Sequence, residues 1–463
     1  MDHISEEKTE VPSSGNLSTP IVSLAPELLC SIFSHCVSND QRKDAHSRDS
    51  IRCLFRAPLL LGRVCSRWRD VSISSPELWS SFAVGDDRGR PPDADLAKDL
   101  KATKHWISRS GSRPLSIRIS YKLPRTYETM VRPILESLVS QSWRWKNVTL
   151  DVPSEFEAII VAPFRNQILP QLVEFDSISK TPGSGEFILS SAPRLRVLSR
   201  IGPIDFSGGV HGIKQIRMDY DHTRNSRPSL DDLFSCFTHC PLLEDLFIFI
   251  YTDDEWRTRL PDELPSIIEL SHLTHLYLYC MSGIDPCRLF DRLYLPALVS
   301  LNLHMWSSNA SDPEWRQIQT MLAHSRPPLQ TLAFSLLPMS ERTMIGCLSY
   351  VPTLTSFHVY GTNLTDSILG SLTVDEADTN ASKNLCPLLE RIEFEDAFGG
   401  GKCHFSEHAM TRMIISRRKF AKNTPGTGMA LKWIKASFQF DRIRSNPDIA
   451  ECLNNGLRLV YCT

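Results

Sequence analysis

The chain has 463 residues, 41% of them hydrophobic and 22% charged, and a formal net charge of −2. That length predicts two to three domains, with ample apolar material for a large core. The near-neutral charge leaves no basic field for nucleic acid or an anionic membrane surface, and no run approaches the roughly 18 apolar residues of a membrane span.

The first stretch, "MDHISEEKTEVPSSGNLSTP", is polar and acidic, and reads as a disordered leader over 1–20 rather than a signal or transit peptide. The 13 cysteines are odd in number and never form a C-x-x-C pair, so they are expected to be reduced thiols buried as small hydrophobes. The expected compartment is cytoplasmic and/or nuclear, and the triplet Asn309-Ala310-Ser311 then has no meaning as a glycosylation signal.

The first apolar segment opens "LAPELLCSIFSHC". Pro26 suits a first helical turn and Glu27 complements the helix dipole, while Leu28, Leu29, Ile32, Phe33 and Cys36 recur at helical spacing. A second segment places Leu61, Val64, Cys65, Trp68 and Val71 on one side, with Arg63, Arg67 and Arg69 on the others. "SSPELW" then predicts a short third turn, with Ser75 as cap, Pro76 at the first position, and Leu78 and Trp79 to bury. Three such helices are too small to cover their own apolar surface. On periodicity alone they are either the start of a larger core or a face kept for a partner.

This stretch resembles the F-box, most closely the fungal form, in which L-P-x-E-[LI]-L-x-x-I-F is followed by V-C-x-x-W and P-x-L-W. The matched positions are Leu24, Pro26, Glu27, Leu28, Leu29, Ile32, Phe33, Val64, Cys65, Trp68, Arg69, Pro76, Leu78 and Trp79. The inserted Ala25 and the long polar stretch 39–53 depart from the pattern. The resemblance implies a three-helix domain over 21–82 that binds the Skp adaptor of a cullin-based ubiquitin ligase. It implies adaptor contacts at Leu24, Pro26, Leu28, Leu29, Ile32, Phe33, Val64, Cys65, Trp68, Leu78 and Trp79, in the helix-in-groove manner.

Beyond a linker or helical connection over 83–112, one template recurs as L-x-x-L-x-L. Its six good copies are Leu243/Leu246/Ile248, Leu273/Leu276/Leu278, Leu298/Leu301/Leu303, Leu329/Leu332/Phe334, Leu354/Phe357/Val359 and Leu389/Ile392/Phe394. They step by 30, 25, 31, 25 and 35 residues, and weaker copies begin at Leu172, Leu195 and Ile213. L-x-L places two apolar side chains on one face of a strand, and capped helical patterns lie between the copies. One strand plus one helix, repeated, predicts a parallel solenoid over 113–428, with 429–463 as a terminal cap. The array resembles a degenerate leucine-rich repeat lacking the usual asparagine after the last leucine. The expected fold class is therefore α+β/α/β, a helical F-box followed by an irregular repeat solenoid.

The residues between the buried ones form rows on the concave face. One row is Phe247, Tyr277, Asn302, Ala333, His358 and Glu393; its neighbour is Phe249, Tyr279, His304, Ser335, Tyr360 and Glu395. Aromatic residues are enriched at binding hot spots, so Phe247, Phe249, Tyr277, Tyr279, Asn302, His304, His358 and Tyr360 are the candidate target-binding residues, unless loops or the C-terminal segment cover them.

No catalytic constellation stands out. "FGGGKC" (398–403) lacks phosphate-loop spacing, "DEADTN" (375–380) lacks the glycine and closing glutamate of a calcium loop, and His35-Cys36 and Cys403-His404 lack a ligand spacer. "RRKFAK" (417–422) reads as a solvated helix end. The expectation is a substrate receptor without catalytic, cofactor or metal residues, whose partners are the Skp adaptor, the cullin scaffold and an unknown target protein, with no nucleic acid and no membrane. The alternative is a non-ligase interaction scaffold built on the same solenoid.

Overall fold

The computed structural model describes residues 24–40, 51, 53–55, 57–86, 93–123, 125–177, 187–219, 227–251, 264–281, 283–306, 314–375, 384–397, 403–423 and 430–461. Fourteen strands form one sheet in chain order, every neighbouring pair parallel. They are β1 (Ser81–Asp86), β2 (Leu115–Tyr121), β3 (Trp145–Asp151), β4 (Glu174–Ser177), β5 (Val197–Ile201), β6 (Gln215–Asp219) and β7 (Asp245–Ile250). The rest are β8 (His275–Cys280), β9 (Ser300–Met305), β10 (Thr331–Ser335), β11 (Ser356–Tyr360), β12 (Arg391–Glu395), β13 (Trp433–Ala436) and β14 (Arg458–Tyr461). At about 4.8 Å per step the sheet runs roughly 60 Å.

The recurring template has a backbone cause. Its first leucine closes a tight turn by donating its N–H to the carbonyl three residues back, at 3.0–3.3 Å for Leu195, Leu243, Leu273, Leu298, Leu354 and Leu389. The next residue donates to its counterpart one repeat earlier, so Thr274 bonds Glu244, Val299 bonds Thr274, Gln330 bonds Val299 and Thr355 bonds Gln330, each at 2.8–2.9 Å. The strand that follows turns its two apolar residues inward. In all six good copies those residues are at most 1% exposed. The weaker copies follow the same register, with Leu172, Leu195 and Ile213 buried, although Ser177 and Arg200 stand where an inward apolar residue would be.

The first helices are α1 (Pro26–Asp40), α2 (Ser66–Ile73), α3 (Asp93–Arg109), α4 (Glu128–Val139), α5 (Ser154–Asn166), α6 (Leu230–His239) and α7 (Cys287–Phe290). Next come α8 (Gln317–Ser325), α9 (Glu341–Leu348), α10 (Asp366–Leu372), α11 (Glu407–Asn423), α12 (Asp441–Arg444) and α13 (Pro447–Asn454). From α7 to α11 each helix packs against the next. A relay of carboxylates ties their N-termini together. Glu314 Oε1 accepts from the Ser340 N–H and hydroxyl (3.2 and 2.6 Å) and from the Thr343 hydroxyl (2.6 Å) at the start of α9. Glu341 accepts from the Thr365 and Ile368 N–H groups (2.8 and 3.1 Å) at the start of α10, and Asp366 from the Ser406 N–H (2.7 Å) before α11. Each acid satisfies N–H or hydroxyl donors at the beginning of the following helix.

Three sequence expectations change. The stretch expected as a linker or helical connection, 83–112, does hold the helix α3 but also contains most of β1, so the sheet begins at Ser81 rather than at 113. Gly85 lets β1 lie beside β2: its φ is +91°, and a Cβ there would sit 2.0 Å from the Ser120 carbonyl oxygen. Second, the segments "MALKWIKASFQF" (429–440) and "GLRLVYC", expected to pair as a terminal cap, do pair, as β13 and β14, but as the last two strands of the same parallel sheet. Third, "RRKFAK" is not a solvated end. Arg417 is buried and donates to the Leu372, Cys386 and Leu385 carbonyls (2.7, 2.8 and 2.7 Å), and Arg418 donates to those of Leu431, Cys452 and Asn455. Desolvation lowers the Arg417 pKa to about 10, which leaves it charged at neutral pH. Among the described residues, no helix is long and apolar enough to cross a membrane.

Candidate functional site

Two surfaces stand out, one on the N-terminal helices and one on the sheet. In α1 the Ala25 carbonyl accepts from the Leu28 and Leu29 N–H groups, with Pro26 at the first helical position as expected. Leu29 and Phe33 are 0% exposed, and the Phe33 ring lies 4.9 Å from that of Trp68. The Cys65 side chain accepts from the Trp68 N–H and so caps α2, and the Arg67 guanidinium donates to the Leu24 carbonyl. Ser75 does not cap the turn after it. Its hydroxyl donates back to the Val71 carbonyl (2.6 Å) and meets Cys30 Sγ (2.8 Å), tying α2 to α1. Trp79 is buried: its Nε1 donates to the Ser72 carbonyl, its ring meets Trp106 edge-on at 4.9 Å, and Arg109 lies over it at 4.3 Å.

The positions expected to contact an adaptor therefore divide. Leu29, Phe33, Leu78 and Trp79 face the interior and hold the helices together, a correction to their reading as contact residues, because a side chain with no accessible surface cannot touch a partner. Leu24 and Trp68 are half-buried. Pro26, Leu28, Ile32, Val64 and Cys65 are exposed, with Leu28 at 54%, Ile32 at 40% and Val64 at 56%. Leu54, Phe55, Leu60 and Ile73 add further exposed apolar surface. Sequence periodicity missed Leu54, Phe55 and Leu60 because they lie in turns, outside the helical pattern.

The second surface is the side of the sheet opposite the helices. Register confirms both rows: Phe247, Tyr277, Asn302, Ala333, His358 and Glu393 pair in succession, as do Phe249, Tyr279, His304, Ser335, Tyr360 and Glu395. The first row extends to Arg217 on one side and Lys435 on the other. Phe247, Tyr277, Asn302, Tyr279, His304, His358 and Tyr360 are half-buried, as open-face residues should be. Phe249 is the exception at 5% exposed: it stands in the outward row, stacked on Tyr279 (5.7 Å, 7°) and edge-on to Trp306 (6.3 Å), and is left with almost no surface to offer a target, a correction to its place among the target-binding residues.

Tyr279 also meets Phe247 (5.3 Å) and His304 (5.0 Å), Arg217 lies 4.0 Å over the Phe247 ring, and Trp306 stands 56% exposed at the edge. Trp306 and Arg217 belong to this platform, but neither sits at an outward position of a good template copy. Burial, reinforced by the nearby His358, lowers the His304 pKa and favours its neutral form. At the far end, Glu395 Oε1 accepts from Lys435 Nζ (2.7 Å) and lies 3.7 Å from His358 Nε2, while Arg391 Nε donates to Glu393 Oε1 (2.7 Å).

Other sequence features resolve simply. Of the described cysteines, Cys36 and Cys65 are exposed, and those from Cys236 onward are buried except Cys403. Burial pushes the Cys240, Cys347 and Cys386 thiols up to about 12, so these are protonated and unreactive at neutral pH. His35 and Cys36 are both exposed on α1, and Cys403 and His404 form a short parallel bridge with Leu364 and Thr365. Most of "FGGGKC" and "DEADTN", and the triplet at 309–311, lie outside the described residues. No family model and no curated protein matches the sequence.

Proposed function

We propose that the chain is a non-catalytic substrate receptor of a cullin-based ubiquitin ligase. In this reading the N-terminal helices hold the Skp adaptor, the adaptor links to the cullin, and the open sheet face captures the target protein. Ubiquitin transfer then belongs to other subunits, in the cytoplasm and/or nucleus.

One observation carries the reading. α1 and the segment leading into α2 present leucine, isoleucine and valine to solvent, although inward-facing neighbours already supply the local core. Leu28 and Ile32 lie four residues apart on one face of α1, and apolar side chains gathered on one exposed face are what a partner helix or groove engages. Their position in the F-box-like sequence supplies the adaptor as the partner. The buried contacts of Leu78 and Trp79 favour a second reading, in which the helices cap the solenoid of a non-ligase interaction scaffold. The two differ in what the outward residues do.

The test is co-expression of the full chain with the Skp adaptor, followed by affinity capture of wild type and of the double variant Leu28→Asp/Ile32→Asp. Adaptor retained by wild type and lost by the variant, with melting temperature unchanged, supports the receptor. Wild-type chain that folds and captures no adaptor overturns it in favour of the scaffold.

A further inference from the structure

We propose that the open face carries a divalent transition-metal site formed by His358, Glu393 and Glu395, a function the sequence pattern did not suggest and one independent of the ligase reading. His358 on β11 is the direct parallel-strand partner of Glu393 on β12, and Glu395 follows two residues on, pointing to the same side. One ligand atom from each residue falls within a cluster no wider than 4.8 Å. Metal–nitrogen and metal–oxygen bonds of about 2.0–2.2 Å place tetrahedral ligand atoms roughly 3.3 Å apart, so a shift of the glutamate side chains by about 1.5 Å or less closes the set.

The imidazole supplies the second observation. His358 Nε2 is shielded from solvent and has no hydrogen-bond partner, although the ring as a whole is 35% exposed. It points toward Glu395 at 3.7 Å, beyond hydrogen-bond length. A shielded imidazole nitrogen that neither donates nor accepts is costly unless something fills that position. A metal ion satisfies the nitrogen lone pair and the carboxylate charges together.

Lys435 and Arg391 already bond these carboxylates, at Glu395 Oε1 and Glu393 Oε1. A carboxylate has two oxygens and about four lone-pair directions, so one hydrogen bond leaves room for a metal. Hydrogen bonds from outside orient metal-ligating carboxylates, which is the part these cations would play. Their charge also weakens the site, so moderate affinity is expected. One nitrogen and two oxygens suit zinc, cobalt, nickel or manganese better than calcium or magnesium, which prefer all-oxygen sets. Three protein ligands leave the remaining positions to water or to a side chain of a bound protein.

The experiment titrates chelator-treated full-length chain with Zn²⁺ by calorimetry and with Co²⁺ by absorption. The expected result is saturable binding, with a cobalt spectrum free of thiolate charge transfer. His358→Ala and Glu395→Gln are each expected to weaken binding about tenfold or more at unchanged melting temperature, and His275→Ala, distant on the same face, to leave it intact. The proposal is overturned by absent saturation, by affinity indifferent to both substitutions, or by a thiolate band showing that the cysteines bind the ion.

Discussion

A carboxylate placed at Leu28 or Ile32 meets water, whereas one placed at Leu29 meets the sealed interior between α1, α2 and the 76–79 turn. Exposed substitutions usually shift stability by under about 0.5 kcal/mol each, so Leu28→Asp/Ile32→Asp is expected to melt like wild type. Leu29→Asp, by contrast, costs several kcal/mol through an unpaired buried charge. Thermal unfolding of the two variants separates the roles, and equal destabilisation would show that the outward pair is structural. The same contrast holds on β8. Replacing Leu276 and Leu278 by alanine costs roughly 2–5 kcal/mol per residue through cavities. Replacing Tyr277 and Tyr279 by serine removes ring contacts worth about 0.5–1.5 kcal/mol each. The leucine pair should lower the melting temperature more, and the tyrosine pair should lower target capture more.

At the level of elements, Glu314 makes the tie between the start of α8 and the start of α9 sensitive to acid. The Ser340 and Thr343 hydroxyls, followed by Arg316, hold the Glu314 carboxyl down at about 2. A depressed folded pKa contributes stability that is complete above the ordinary value near 4.5 and is lost as pH falls toward about 2. Glu314→Gln should therefore melt below wild type at neutral pH, and the gap should narrow across that window. A gap that stays constant from pH 5 to about pH 2 would refute the assignment. The strands were legible because L-x-x-L-x-L encodes both the turn and the inward pair. β1 was not, since "SFAVGD" has no turn leucine and is defined by its pairing with β2. Nor were the roles of Arg417 and Arg418, because a basic run looks solvated until backbone carbonyls surround it. On the candidate surfaces, alternation placed both open-face rows correctly. Helical spacing did not separate Leu28 from Leu29, which lie at the boundary of one apolar stripe.

For the whole molecule, a single apolar cluster runs from Leu29 to Leu459 without a break between the N-terminal helices and the sheet. A fragment of residues 1–85 lacks Trp106, Arg109 and β2, against which Trp79 and β1 pack. It is expected to show no cooperative unfolding transition alone and to gain order when co-expressed with the adaptor. A stable monomeric fragment would mean that its core closes without either. Removing residues 457–463 should instead leave β13 as an unprotected edge and promote self-association, measurable by light scattering.

The rows on the open face also act as a ruler. From Tyr277 on β8 to Glu393 on β12 is four strand steps, about 19 Å at the spacing of a parallel sheet. An extended peptide advances about 3.3 Å per residue, so a chain lying across the strands covers that interval in about six residues. A target held as proposed above is then selected on distance as well as composition: an apolar anchor over the tyrosines and a polar or metal-binding group over the histidine–glutamate end must be that far apart to engage together. A linear target with the same two groups at half the separation reaches only one of them. Strands of fixed spacing turn the order of side chains along the sheet into a scale, and the proposed receptor role predicts that a target matches it.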